Sequence, residues 1–266
     1  MGKAGRAIQA FFKTMLPERY SWPAMDVQFN GSQFHLVGSI HMGTCDMMPL
    51  PCALQTKLCR ADALIVEADI MSAASPFDKS TACAPLERQI DEASWQRLSQ
   101  ICHQLNIDIA SISSLPAWQV ALMLQAQQAQ QLGLHACYGI DHQLLNAAHS
   151  QQQPVIELEG AEAQLSLLEA LPVGGVSLLE DTLLHWQTNA RLLQIMISWW
   201  LDAPPASPDI TLPTTFCDEL SDLLIHDRNV RWAHYLRVLP PGNYLVAVGA
   251  LHLFGENNLI DLLKYP

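Results

Sequence analysis

Residues 36–43 read LVGSIHMG and residues 247–255 read AVGALHLFG. One pattern, apolar–Val–Gly–small–aliphatic–His, thus occurs twice, with the two histidines 211 residues apart. Each copy follows a short apolar run of the kind that forms a strand covered on both faces. Glycine at a strand end permits a tight turn or close approach by a ligand. The histidine three residues on then stands beyond the strand's carboxyl end, the edge at which open α/β sheets bind ligands. If both strands are central and parallel, His41 and His252 face one crevice. A single GxxH is a weak signal, and two unrelated strand ends are the plain alternative. The matched surroundings favour a shared site that includes Gly38, Ser39 and Gly249.

Four runs read as buried strands: Gln33–Gly38, Ala63–Ile70, Pro154–Leu158 and Tyr244–Gly249. Helical periodicity fills the gaps. Trp95, Leu98, Ile101, Cys102 and Leu105 recur at helical spacing, with Ser94 as a candidate N-cap. Trp118–Leu132 reads as a helix, Val176–Leu201 as one helix or two, and Cys217–Leu239 as another closed by Pro240-Pro241-Gly242. The Pro-rich stretch Pro204–Pro213 reads as a surface loop. Together these predict an α/β fold: a central, largely parallel sheet with helices on both faces, a helical insert over about 75–150 and another over about 160–240.

The charge balance limits what such a fold binds. The chain has 14 Lys and Arg against 26 Asp and Glu, a net charge of −12. Binding to nucleic acid needs clustered cations, so that class is excluded. Residues 1–19 nevertheless carry +3, with an apolar patch broken by Lys13. Residues 1–20 therefore read as a basic amphipathic lead-in and 21–266 as one domain. The run LLQIMISWWL, residues 192–201, is too short to span a bilayer. Trp199-Trp200 within it reads as core, or as a face for self-association. Seven cysteines without a CxxC read as reduced thiols of a cytoplasmic protein.

Several residues carry chemistry. Glu67 interrupts the apolar run LIVEADI, and a buried carboxylate must be paired, metal-bound or protonated. Glu159 lies at the carboxyl end of PVIELEG. Asp141, in YGID, either caps the following helix or faces the site. Arg228 and Asn229 lie on the last long helix, where a guanidinium suits an oxyanion or a carboxylate unless it is simply solvated. Ser39 is a poor nucleophile candidate, because GSIH lacks the GxSxG elbow and Ala250 stands in its place in the second copy.

The paired GxxH motifs, VEAD, YGID, LEG, the Arg228-Asn229 pair and the terminal VAVGALHLFG together resemble the TraB/GumN family. That family is related to the Tiki proteins and, more distantly, to erythromycin esterases and ChaN-like haem-binding proteins. The resemblance covers roughly residues 20–265. It implies an α/β fold of two pseudo-repeated halves and, from Tiki-type members, a metal-dependent protease that uses manganese or cobalt. Carried over, it makes His41, His252 and Glu67 metal ligands. Glu67, Glu159 and Arg228 become catalytic groups, and Gly38, Ser39, Asp141, Asn229 and Gly249 contact substrate. Two imidazoles and a carboxylate would leave an open metal position for water, with zinc as a further option. The expectation is a metal-dependent hydrolase acting on a peptide or small molecule. The alternatives are a protein that sequesters a peptide or haem, and a metal-independent esterase with His41 as base.

Overall fold

The structure, a computed structural model, describes residues 19–71 and 83–264. The basic lead-in therefore lies largely outside the described residues. Five strands form one sheet: β1 Ala24–Phe29, β2 Ser32–Ser39, β3 Ala63–Val66, β4 Val155–Glu157 and β5 Asn243–Gly249. Their order is β1-β2-β5-β3-β4. Only the β1–β2 pair is antiparallel; β2–β5, β5–β3 and β3–β4 are parallel. The central strands are apolar on both faces: Leu36, Val37, Leu64, Ile65 and Leu245 to Val248 are fully buried. Such strands need helices on both faces, and helices cover both.

The strand that the periodicity misses is β1. It forms a hairpin with β2 through Asn30 and Gly31, both left-handed at φ 50° and 79°. Asn-Gly between two strand segments is the strongest short-range hairpin signal. Two expected strands are shorter than their apolar runs. The first of these ends at Val66, so Glu67 lies just past the strand instead of inside it.

The helices are α1 Cys52–Arg60, α2 Glu92–Leu105, α3 Ala117–Gln131, α4 Ile140–Ser150, α5 Ala161–Glu169, α6 Val176–Leu184, α7 Trp186–Leu201, α8 Asp227–Arg237, α9 Ala250–Leu253 and α10 Leu259–Lys264, with shorter turns between. Asp91, not Ser94, caps α2: its carboxylate accepts the Ser94 N–H at 2.6 Å. The stretch 176–201 is two helices, broken at His185. Before α8, Asp222–His226 forms one π-helical turn.

Two apolar clusters result. One packs α1, α4, α7, α8 and α10 around the sheet. The other joins α2, α3 and α6 into a helical lobe around Leu98, Leu124 and Leu179. The two expected helical inserts thus share this lobe, while α7 and α8 of the second pack on the sheet. Trp199 and Trp200 are core residues, and the Trp200 indole donates to the Gly38 carbonyl at 3.1 Å. The 204–213 stretch is irregular; its Ile210 and Leu212 pack on the sheet cluster. Among the described residues, no helix is long and apolar enough to cross a membrane. The two matched halves are not evident, because the likeness is confined to β2 and β5, which are neighbours in one sheet.

Candidate active site

Four parallel strands end on one edge, and their carboxyl ends carry the site. Strands β2 and β5 pair with Ser39 opposite Gly249, so the two GxxH copies lie side by side but one residue out of step. They also part in form. After Gly249 the chain turns at once into α9, which carries His252 into the interior at 4% exposure. After Ser39 it runs into an open loop, and the His41 side chain stays 66% exposed.

Glu67, just beyond β3, is buried and takes three donors. The Gly249 N–H reaches its Oε1 at 2.7 Å; Arg228 Nη2 reaches its Oε2 at 2.6 Å and Gln164 Nε2 the same oxygen at 3.1 Å. A Cβ on Gly249 would lie 3.4 Å from Glu67 Oε1, so glycine here lets backbone meet carboxylate. Glu159 follows β4, and its carboxylate accepts Arg228 Nε at 3.0 and 3.2 Å. Arg231 lies 3.5 Å from the same group.

Arg228 is the hub. It projects from α8 two residues past the end of the π-helical turn, and its Nη1 donates to the Leu224 carbonyl at 3.1 Å. The same Nη1 lies 3.2 Å from His252 Nε2, and the guanidinium stacks 4.6 Å above Trp232, one turn along the helix. Such a planar, permanently charged fork suits two carboxylates better than an ammonium would.

Asn229 sets the state of His252. Its amide nitrogen donates to the Asn257 carbonyl at 2.9 Å, so its oxygen faces His252 Nδ1 at 2.8 Å. Nδ1 must then carry the proton, which leaves the Nε2 lone pair for the Arg228 N–H. Burial disfavours the imidazolium, and despite the pull of Glu67 it holds the His252 pKa at about 4. For Glu67 burial acts upward, but His252, Arg228, His41 and the Gly249 N–H together outweigh it and hold the carboxyl at about 2. Of these, Arg228 is the charge present at every working pH.

His41 belongs to a second pair. Its Nδ1 lies 2.9 Å from Asp141 Oδ2, a charge contact without hydrogen-bond alignment. The Asp141 charge raises the His41 pKa to about 9. Asp141 is buried in the first turn of α4 and does not cap it; Gly139 precedes the helix. The approach is made by backbone. Ile140 N–H donates to the Ile40 carbonyl at 2.9 Å, and a Cβ on Gly139 would lie 2.2 Å from the His41 carbonyl oxygen. A Cβ on Gly43 would lie 2.5 Å from the Tyr138 carbonyl oxygen.

The structure thus brings His252, Glu67, Glu159, Arg228 and Asn229 into one network, with His41 and Asp141 beside it. Some expected substrate contacts lie deeper. Asn229 is fully buried against His252. Gly38 sits within β2, where a Cβ would meet Phe254 at 3.1 Å and Ala250 at 3.3 Å, so it serves close packing. Ser39 is buried, and its hydroxyl has no partner among the described residues. Asp69, two residues past Glu67, points elsewhere, to His149 at 3.1 Å. Sequence reasoning misses Gln164 and Trp232, which carry no local signal. Two cavities, of about 290 and 360 Å³, lie away from this network.

A divalent metal does not fit these residues as they are arranged. His252 Nε2 faces a guanidinium N–H, and Glu67 is already saturated by Arg228, Gln164 and Gly249. Among the described residues, no three His, Cys, Asp or Glu side chains are placed to hold an ion together.

The chain is similar to known proteins along nearly all of its length. The TraB/PrgY/gumN family model matches residues 24–266. A relative from Escherichia coli K12, called uncharacterized protein YbaP, is 54% identical over 258 residues, covering 97% of this chain and 98% of the relative. A Shigella flexneri protein of the same name is 53% identical over the same extent. No solved structure matches.

Proposed function

The chain belongs to the TraB/PrgY/gumN family, and from that premise and the crevice we propose that it is a hydrolase cleaving a peptide or ester bond with His41 as the proton-transfer group. The observation that carries this reading is the His41–Asp141 pair. It is the solvent-facing imidazole of the site, held 2.9 Å from a buried carboxylate beside a fixed guanidinium.

Since Nδ1 faces Asp141, the reacting nitrogen is Nε2. In its neutral form, the minor one below the raised pKa of about 9, it takes a proton from water as the oxygen attacks the substrate carbonyl, so turnover rises with pH up to that value. The imidazolium so formed is stabilised by Asp141, and it returns the proton to the leaving amine or alcohol as the bond to carbon breaks. Arg228, its donors engaged by Glu67, Glu159, Leu224 and His252, acts as a positioning residue that fixes the two carboxylates bordering the crevice. A general base of this kind contributes about 10²- to 10⁴-fold. A metal polarising the substrate carbonyl, as the family resemblance implies, finds no free donor set in this arrangement.

The test is turnover of a panel of fluorogenic esters and quenched peptides by the purified protein and His41→Ala, both with excess chelator. Turnover that survives chelation and falls at least about 100-fold in the variant supports the reading. Turnover that needs added Mn²⁺ or Co²⁺, or that is unchanged in His41→Ala, overturns it.

A further inference from the structure

We propose that Arg228 is the resident cation of this crevice and excludes divalent metal from it, so that removing its guanidinium opens the space between His252 and Glu67 to an ion whose remaining positions are filled by water. The proposal stands whether or not the crevice is hydrolytic. His252 Nε2 and Glu67 Oε1 lie 3.9 Å apart, a separation that one ion can bridge at ordinary ligand distances of about 2.0–2.2 Å. Their partner groups are already in place, since Asn229 fixes the ring tautomer and leaves Nε2 as the lone-pair nitrogen. The Gly249 N–H anchors Glu67 from the backbone. The guanidinium fills the gap: Nη1 is 3.2 Å from His252 Nε2, Nη2 is 2.6 Å from Glu67 Oε2, and Nε is 3.0 Å from Glu159. Two buried carboxylates need a counter-charge, and here a covalently tethered one is always present. A metal would have to displace three charge-assisted hydrogen bonds and the stacking on Trp232. Without the guanidinium, His252 Nε2 and Glu67 still lie within bridging distance of one ion, and Glu159 adds an uncompensated negative charge nearby.

The experiment is a Co²⁺ titration at pH 7.5 of the full chain and of Arg228→Ala, Arg228→Met, His252→Gln and the double variant Arg228→Ala/His252→Gln. It is read by visible absorption, by metal content after gel filtration, and by the shift of Tm. The wild type is expected to show no bound ion that depends on His252; Co²⁺ held by exposed side chains is recognised because it persists in His252→Gln. Arg228→Ala is expected to retain close to one Co²⁺ per chain, with a rise in Tm on binding. The double variant should bind it about tenfold or more weakly. Stoichiometric Co²⁺ in the wild type that is lost in His252→Gln overturns the proposal, and that arm needs no folded Arg228 variant. It is also overturned if neither Arg228 variant gains a His252-dependent ion, or if both stay unfolded in excess Co²⁺.

Discussion

His41 and His252 occupy the same place in a repeated motif and end in opposite chemical states. One is exposed and pulled towards the cation by Asp141; the other is buried, neutral and held from both sides. The motif is legible because glycine and histidine recur at fixed spacing after apolar strands. The difference is not, because it depends on the segment after each strand: a loop held against Gly139 in one case and the short helix α9 in the other. The family resemblance makes Asn229 a substrate contact; only tertiary packing shows it beneath His252. The Gly139 contact gives a prediction at this scale. Gly139→Ala would place a methyl 2.2 Å from the His41 carbonyl. Overpacking of that kind costs about 1–3 kcal/mol. The loop should also move, so the variant should lose both urea stability and the raised His41 pKa; wild-type values for both would contradict the assigned contact.

Among the elements, α8 does the most to assemble the site. The π-helical turn before it sets the phase from which Arg228 reaches Glu67, Glu159 and His252, with Trp232 beneath. In sequence, HDRNVRWAHYL offers Arg228 as a site candidate or a solvated residue alike, and the π-helical turn is not legible, since one extra residue in a turn leaves no compositional trace. The strands are more legible, because β3 and the central stretches of β2 and β5 are buried on both faces and therefore largely apolar. Strand β1 is half-exposed at the sheet edge and lacks that apolar signature, despite its Asn-Gly turn. Arg228→Met removes the counter-charge from two carboxylates that are each 9% exposed in their side chains. Breaking a buried pair in this way costs about 3–5 kcal/mol, to be measured by urea unfolding at pH 7. A loss below about 1 kcal/mol, the range of exposed pairs, would mean that the network is open to water.

For the whole molecule, the buried charges fix how stability depends on pH. His252 has a folded pKa of about 4 against an ordinary 6.5, so the unfolded chain binds the extra proton between those values. Its contribution is complete above pH 6.5 and is lost as pH falls towards 4. Glu67, at about 2 against 4.5, extends the loss from about pH 4.5 downward. His41 has the opposite sign. Its raised pKa stabilises the fold below about 6.5, an effect that fades as pH climbs through 9, and solvent screens it at an exposed ring. The urea midpoint should therefore fall steadily from pH 6.5 to 4, and His252→Gln should flatten that limb. An unchanged slope in the variant would place the acid sensitivity elsewhere.

The central claim is that Asp141 and His41 form a working acid–base pair at the mouth of an arginine-centred network, and histidine NMR tests it without any substrate. The Cε1–H resonances would be followed from pH 5 to 10 in the wild type, with the His41 signal assigned by its loss in His41→Gln, and again in Asp141→Asn. The account predicts a His41 midpoint near 9 in the wild type that moves down towards 6.5 once the carboxylate charge is gone. A His41 that titrates near 6.5 in the wild type, or one indifferent to Asp141→Asn, would contradict it.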